Sequence, residues 1–260
     1  MKPVRRSGKS IWACWNRVSS RLRGAKQVLL VLDFDGTVAP LCARPGKVKL
    51  PSRTRAVLQR LARHPRVRLC FISGRRWKDL HDRVGLKGVQ YLGLYGGERR
   101  PAGVRLNEAK KLAQQARRWV EKRLNGLHGV WIENKGLGFA LHDRDASSGN
   151  RKQAENLLHE ALQPFRRHLR VIENQRGLEV LPRALEDKGA AMRALLGENY
   201  RRDLLPIYLG DDLSDESAFA ALRRGFTVRV GPRARTRARY TLRDPEDARD
   251  FLERLEAELT

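Results

Sequence analysis

Val28-Leu-Leu-Val-Leu32 is five apolar residues with no polar alternate, and it runs directly into Asp33-Phe34-Asp35-Gly36-Thr37. An apolar run without period-2 alternation reads as a strand buried on both faces, the environment of a parallel sheet covered by helices on each side. The flanking sequence keeps that rhythm. Strand signals at Val28–Asp33, Val67–Ile72, Tyr91–Leu94, Ile207–Gly210 and Thr227–Val230 alternate with helix signals at 52–63, 76–84, around Lys188, at 214–222 and from Pro245 to about Leu259. Ser52 is placed as a helix cap and Pro245 as a first-turn residue. The expected fold class is α/β, with a parallel sheet at its centre.

Residues 100–183 follow a different order. A helix over 108–124 leads to strands at 129–133 and 137–142, and a helix over 152–163 leads to strands at 169–173 and 178–181. The expected division is therefore a core built from 26–99 and 184–260, with an α+β domain inserted over 100–183. With 260 residues the chain is long enough for both.

Residues 1–25 form a basic leader. Ile11, Trp12, Trp15, Val18 and Leu22 recur at helical spacing among Lys9, Arg17, Arg21 and Arg23. This amphipathic pattern is expected either to form a poorly ordered extension or to touch an anionic membrane surface weakly through residues 9–23. The chain as a whole carries a formal charge of +25, with 54 Lys plus Arg against 29 Asp plus Glu. The arginines are spread through every predicted helix, so a solvated basic surface is the plainer reading, and no specific nucleic-acid partner is expected. The three cysteines, Cys14, Cys42 and Cys70, form neither a disulfide framework nor a CxxC pair. They fit a reducing compartment, and a cytoplasmic monomer is the expectation.

In a parallel α/β sheet, ligands bind at the carboxyl ends of the strands, where Asp33 and Asp35 stand. If the extended backbone continued, both carboxylates would point the same way. Two like charges that close need a cation beside them, and a hard divalent ion with oxygen ligands, Mg²⁺, suits them. Gly36 permits a tight turn with bare amides, and Thr37 adds a hydroxyl. An ordinary Asp-Gly turn explains this stretch alone equally well.

Three other strand ends change the balance. Ser73 and Gly74, in Cys70-Phe-Ile-Ser-Gly-Arg-Arg76, offer a hydroxyl and amides to a phosphoryl oxygen; Lys188, in Glu186-Asp-Lys-Gly189, offers a point cation. Tyr208-Leu-Gly-Asp-Asp-Leu-Ser-Asp215 supplies Asp211, Asp212 and Asp215 as further carboxylates, though Asp212, Ser214 or Asp215 serves equally as a helix cap. Together these residues describe phosphate monoester hydrolysis by double displacement. Asp33 is the nucleophile and Asp35 the general acid and then base. Candidate metal ligands are Asp33, Asp35, Asp211, Asp212 and Asp215; candidate phosphate contacts are Gly36, Thr37, Ser73, Gly74 and Lys188.

In this order the four segments resemble the four motifs of the haloacid dehalogenase (HAD) phosphatases. Within that superfamily the chain is similar to the trehalose-6-phosphate phosphatase family from about residue 27 to its end, through Ser73-Gly-Arg-Arg76, Gly93-Leu-Tyr-Gly-Gly-Glu-Arg-Arg100, Ile132-Glu-Asn-Lys-Gly136 and Gly177-Leu-Glu-Val-Leu-Pro-Arg183. The resemblance implies a Rossmann-like HAD core with a sugar-reading cap, Mg²⁺ as cofactor, and hydrolysis of trehalose 6-phosphate to trehalose through an aspartyl-phosphate. It also implies substrate contacts at Arg75, Gly97, Glu98, Glu133, Lys135, Arg144, Glu179 and Arg183. One position departs: the family carries a histidine where this chain has Tyr95. The alternatives are another sugar phosphate, such as sucrose phosphate or mannosylphosphoglycerate, or a basic nucleic-acid-binding protein on the same scaffold.

Overall fold

The structure, a computed structural model, describes residues 8–42, 45–99, 107–174, 177–198, 203–232 and 235–260. Its elements in chain order are β1 (Lys9–Ser10), α1 (Trp15–Gly24), β2 (Gln27–Leu32), α2 (Ser52–Arg63), β3 (Val67–Ile72), α3 (Trp77–Val84), β4 (Gln90–Leu92), α4 (Asn107–Glu121), β5 (Trp131–Asn134) and β6 (Phe139–His142). There follow α5 (Ser148–Leu162), β7 (Leu169–Asn174), β8 (Gly177–Pro182), α6 (Lys188–Glu198), β9 (Leu204–Gly210), α7 (Glu216–Ala221), β10 (Phe226–Val230), β11 (Tyr240–Leu242) and α8 (Pro245–Leu259). The chain divides into two compact units, residues 1–102 with 187–260 and residues 103–186.

The first unit holds a seven-stranded sheet in the order β1-β11-β10-β9-β2-β3-β4, with every pairing parallel. β2 lies inside this sheet between β9 and β3, and the unbroken apolar run at 28–32 now has a cause. Val28, Leu30 and Leu32 pack on one side with Val57, Leu58 and Leu61 of α2 and Phe251 of α8; Leu29 and Val31 pack on the other with Met192 and Leu195 of α6 and Phe219 of α7. Neither face meets water, so alternation would be a fault.

The leader departs from expectation. Its helical spacing is correct, but the apolar face is not left open to a membrane. Lys9 and Ser10 add an edge strand parallel to β11, and Ile11, Trp15, Val18 and Leu22 are buried in the main core. Trp12 and Trp15 meet Phe251 edge-on at 6.5 and 6.1 Å, the Trp12 indole donates to Asp247 at 3.0 Å, and Arg23 pairs with Glu258 at 2.6 Å. The surface that fits this stripe is α8, at the far end of the sequence. Two smaller differences also appear. Pro51 rather than Ser52 takes the cap position of α2, and the strand expected over Tyr91–Leu94 stops at Leu92, because Leu94 and Tyr95 turn into the left-handed region.

The second unit is a four-stranded antiparallel sheet in the order β5-β6-β8-β7. One face, through Phe139, Leu141 and Val180, packs on Ala113 and Val120 of α4 and Leu158 of α5. The register puts Trp131 opposite His142 and aligns Glu133, Ala140 and Glu179 across three strands on the other face. Among the described residues no helix is long and apolar enough to cross a membrane.

Candidate active site

The parallel strands β2, β3 and β9 deliver Asp33, Ser73 and Asp211 to their carboxyl ends, and the N-terminus of α6 brings Lys188 there. Asp33, Asp211 and Asp215 are all buried, with one ligand atom from each lying within 4.8 Å of the others. Lys188, 2% exposed, bridges two of them: its Nζ lies 2.8 Å from Asp33 Oδ1 and 2.7 Å from Asp215 Oδ1.

Two glycines make the approach possible. Gly36 sits at φ +79°, and a Cβ there would lie 2.1 Å from Asp211 Oδ2, while a Cβ on Gly210 would meet the Asp215 carboxyl carbon at 2.3 Å. Without a side chain at 36, Asp211 reaches the turn after β2 and accepts from the Thr37 hydroxyl at 3.1 Å.

Three buried carboxyls lie together and two of them share one ammonium, and their acidity responds. Burial pushes the Asp33 carboxyl up to about 7, against the pull of Lys188 and with the help of Asp215. Burial, then the Asp33 and Asp215 charges, raise Asp211 well above the usual carboxylate range. Burial disfavours the Lys188 ammonium too, but Asp215 and Asp33 outweigh it and hold the group charged. A surplus of negative charge held away from water fits a hard divalent cation with oxygen ligands. The donor chemistry of Asp33 and Asp211 suits such an ion.

Asp215 is differently committed. Its Oδ1 accepts from Lys188 and from the Tyr208 hydroxyl at 2.6 Å, and its Oδ2 accepts from the amides of Asp211 and Asp212 at 3.1 and 2.9 Å. Those four bonds fill a carboxylate's four acceptor positions, so Asp215 anchors Lys188 and the 210–215 turn. Asp212 caps that turn, with its Oδ1 accepting from Leu213 at 2.7 Å.

Asp35 pairs with a different cation from Asp33. The backbone turns after Phe34, and both Asp35 oxygens accept from Arg75, at 2.6 and 2.7 Å. Ser73 is buried, and its Oγ accepts from the Arg75 amide at 3.2 Å. Tyr95, at φ 63°, lays its ring where a Cβ on Gly74 would be 2.9 Å away, and the ring centroid lies 6.0 Å from Lys188 Nζ. Glu98, 2% exposed, is turned into the fold: it accepts from the Trp77 amide at 2.8 Å at the start of α3 and from Arg76 at 3.1 Å. Gly97 closes the 3-10 turn before it.

In the second unit Lys135 pairs with buried Glu179 at 3.0 Å, and Glu133 meets His142 at 2.9 Å. The His142 ring stacks on Trp131 with centroids 3.9 Å apart, and Trp131 is 41% exposed. Arg144 lines a cavity of about 300 Å³ with Asp143, Arg151, Glu155 and Glu173. Arg183 lines another, of about 230 Å³, and donates to the Arg166 carbonyl.

Sequence reasoning missed Tyr208, Trp131 and His142. The Tyr208 phenol in an apolar strand was a usable signal, since a buried hydroxyl requires a partner. His142 lies opposite Trp131 only through register, which the sequence does not display.

A family model described as trehalose-phosphatase matches residues 31–246. Among curated relatives, a trehalose-phosphate phosphatase of Mycobacterium marinum is 34% identical over 243 residues, covering 88% of this chain and 61% of the relative. A probable trehalose-phosphate phosphatase of Oryza sativa is 27% identical, covering 95% of this chain and 74% of the relative. The chain thus spans about three fifths of the Mycobacterium relative's length. Among solved structures, the C-terminal domain of C. albicans trehalose-6-phosphate phosphatase aligns with a TM-score of 0.83 at 20% identity, covering 98% of this chain and all of that one. The Aspergillus fumigatus trehalose-6-phosphate phosphatase aligns with a TM-score of 0.64 at 23% identity, covering 93% of this chain and 97% of that one. At these identities the structural matches speak to fold.

Proposed function

The chain belongs to the trehalose-phosphatase family, and on that premise we propose that it hydrolyses trehalose 6-phosphate to trehalose and phosphate, with Asp33 as the nucleophile. The observation that carries the proposal is the buried Asp33–Lys188–Asp215 chain beside Asp211, three carboxyls with oxygen atoms close enough together to hold a divalent cation.

Asp33 and Asp211 would hold the cation, Mg²⁺ by the chemistry of the site, with the Asp35 backbone carbonyl as a further ligand. When bound, the ion neutralises charge between the carboxylate and an incoming phosphate. Lys188 fixes the Asp33 oxygen it touches, leaving the other to attack phosphorus, and its third N–H donor faces the phosphoryl group. Gly36 and Thr37 after β2, with Ser73 and Gly74 after β3, supply amides and hydroxyls to the remaining oxygens. Asp35 gives a proton to the departing sugar oxygen, then takes one from the water that opens the aspartyl-phosphate. We assign sugar recognition to Glu133, Lys135 and Glu179, whose paired charges suit hydroxyls that both donate and accept. Glu98 serves the start of α3, Arg75 serves Asp35, and Asp212 and Asp215 serve the turn that carries Asp211.

The test is a phosphate-release panel of trehalose 6-phosphate, sucrose phosphate, mannosylphosphoglycerate and p-nitrophenyl phosphate, with Mg²⁺ and with a chelator. The expected result is a kcat/KM highest for trehalose 6-phosphate and lost on chelation. A different preferred sugar would overturn the substrate, and release that persists under chelation would overturn the metal.

A further inference from the structure

We propose that Arg75 is the positioning residue for Asp35, and that it sets how well the protein expels a leaving group that needs a proton. The proposal deepens the phosphatase reading and rests on it.

Asp35 is held by a bidentate guanidinium pair, the geometry in which one planar cation fixes both oxygens of one carboxylate. The guanidinium is itself immobilised. It donates to Asp79 at 2.6 Å and to the Pro45 carbonyl at 2.9 Å, it lies over the Phe34 ring at 5.6 Å, and it is only 9% exposed. Asp79 is fixed in turn by Arg83 at 2.8 Å, and Arg83 also holds the Val48 carbonyl at 2.6 Å. The Arg75 side chain therefore joins three pieces of chain: the turn after β2, the segment at 45–48 and the first turn of α3. Its own amide meets Ser73 Oγ at 3.2 Å, so the residue that places the proton carrier also borders the phosphate loop. Lysine, a point charge, has no planar fork to match the Asp35 carboxylate while also meeting Asp79 and Pro45.

In the first step an Asp33 oxygen bonds to phosphorus, the bond from phosphorus to the sugar oxygen breaks, and the proton of Asp35 passes to that oxygen. In the second, water oxygen bonds to phosphorus, the bond from phosphorus to Asp33 breaks, and a water proton returns to Asp35. A sugar alkoxide leaves poorly without the proton; a nitrophenolate leaves without help. A misplaced Asp35 thus slows the first step for the sugar ester far more than for the aryl ester.

The experiment measures kcat/KM, which reports events through loss of the leaving group, for trehalose 6-phosphate and p-nitrophenyl phosphate in wild type, Arg75→Met, Asp35→Asn and the double variant. General acid catalysis contributes about 10²–10⁴-fold. The sugar-to-aryl ratio is therefore expected to fall by about 10² or more in Arg75→Met, with little recovery in Arg75→Lys, and the double variant is expected to be no worse than Asp35→Asn alone. An unchanged ratio, or losses that multiply in the double variant, would overturn the proposal, because a merely structural arginine lowers both substrates together. If Arg75→Met does not fold, Arg75→Lys carries the same criterion. Wild-type protein that cleaves neither ester refutes the phosphatase reading; wild-type protein that cleaves both, with the ratio intact in the variant, refutes this inference alone.

Discussion

Deleting residues 1–24 tests whether the leader is an appendage or part of the core. Ile11, Val18 and Leu22 are fully buried and Trp15 is 8% exposed. Burying one large apolar side chain contributes about 1.5–3 kcal/mol, so these four contribute about 6–12 kcal/mol. A domain of this kind has a net stability of about 5–15 kcal/mol. The deletion also strips the cover from Phe251, Leu255 and Leu259 on α8 and removes the strand paired with β11. The deleted protein is expected to lose its cooperative unfolding transition, or to keep a small residue of it. Leu22→Ala, a milder version, is expected to cost about 2–5 kcal/mol. Both are measured by urea denaturation followed by circular dichroism. A deleted protein that unfolds at the wild-type midpoint with the wild-type slope would show that the stripe at 11–22 is not core, and would refute the reasoning.

Other consequences concern the site. Gly36→Ala forces a side chain into the left-handed region, at about 1–2 kcal/mol, and drives its Cβ into Asp211; calorimetric titration should show Mg²⁺ binding weakened at least tenfold in a protein that stays folded. Burial raises Asp33 to about 7, and the cation needs the carboxylate form, so protons compete for the site below that pH. Mg²⁺ affinity should therefore weaken as pH falls from 7 toward 5; an affinity flat across that range would contradict the shift. Glu133→Ala removes the partner of His142 and should lower kcat/KM for trehalose 6-phosphate far more than for p-nitrophenyl phosphate; an equal loss would deny the second unit a role in reading sugar.

What the sequence displayed and what it hid divide along one physical line. Periodicity is local, so the unbroken run at 28–32 announced a buried parallel strand and the altered rhythm after residue 100 announced an α+β segment. Residue type at a strand end is local too, and Asp33, Ser73, Lys188 and Asp211 were legible for that reason. Partnership is not local. The leader's stripe was visible, but its partner α8 lies more than two hundred residues away, and an amphipathic face does not say whether lipid or protein covers it. Arg75 was placed by resemblance among the substrate contacts, since nothing in its sequence neighbourhood reveals that Asp35, Asp79 and Pro45 converge on it.

The central claim is that Asp33 attacks phosphorus and carries the phosphoryl group. It is tested most directly by incubating the protein with ³²P-labelled substrate, quenching in acid during turnover and mapping the labelled peptide. An acid-stable, base-labile label on the peptide that contains Asp33, absent from a folded Asp33→Asn variant that releases no phosphate, is the predicted result. A label on another residue, or an Asp33→Asn protein that turns over at the wild-type rate, would contradict it.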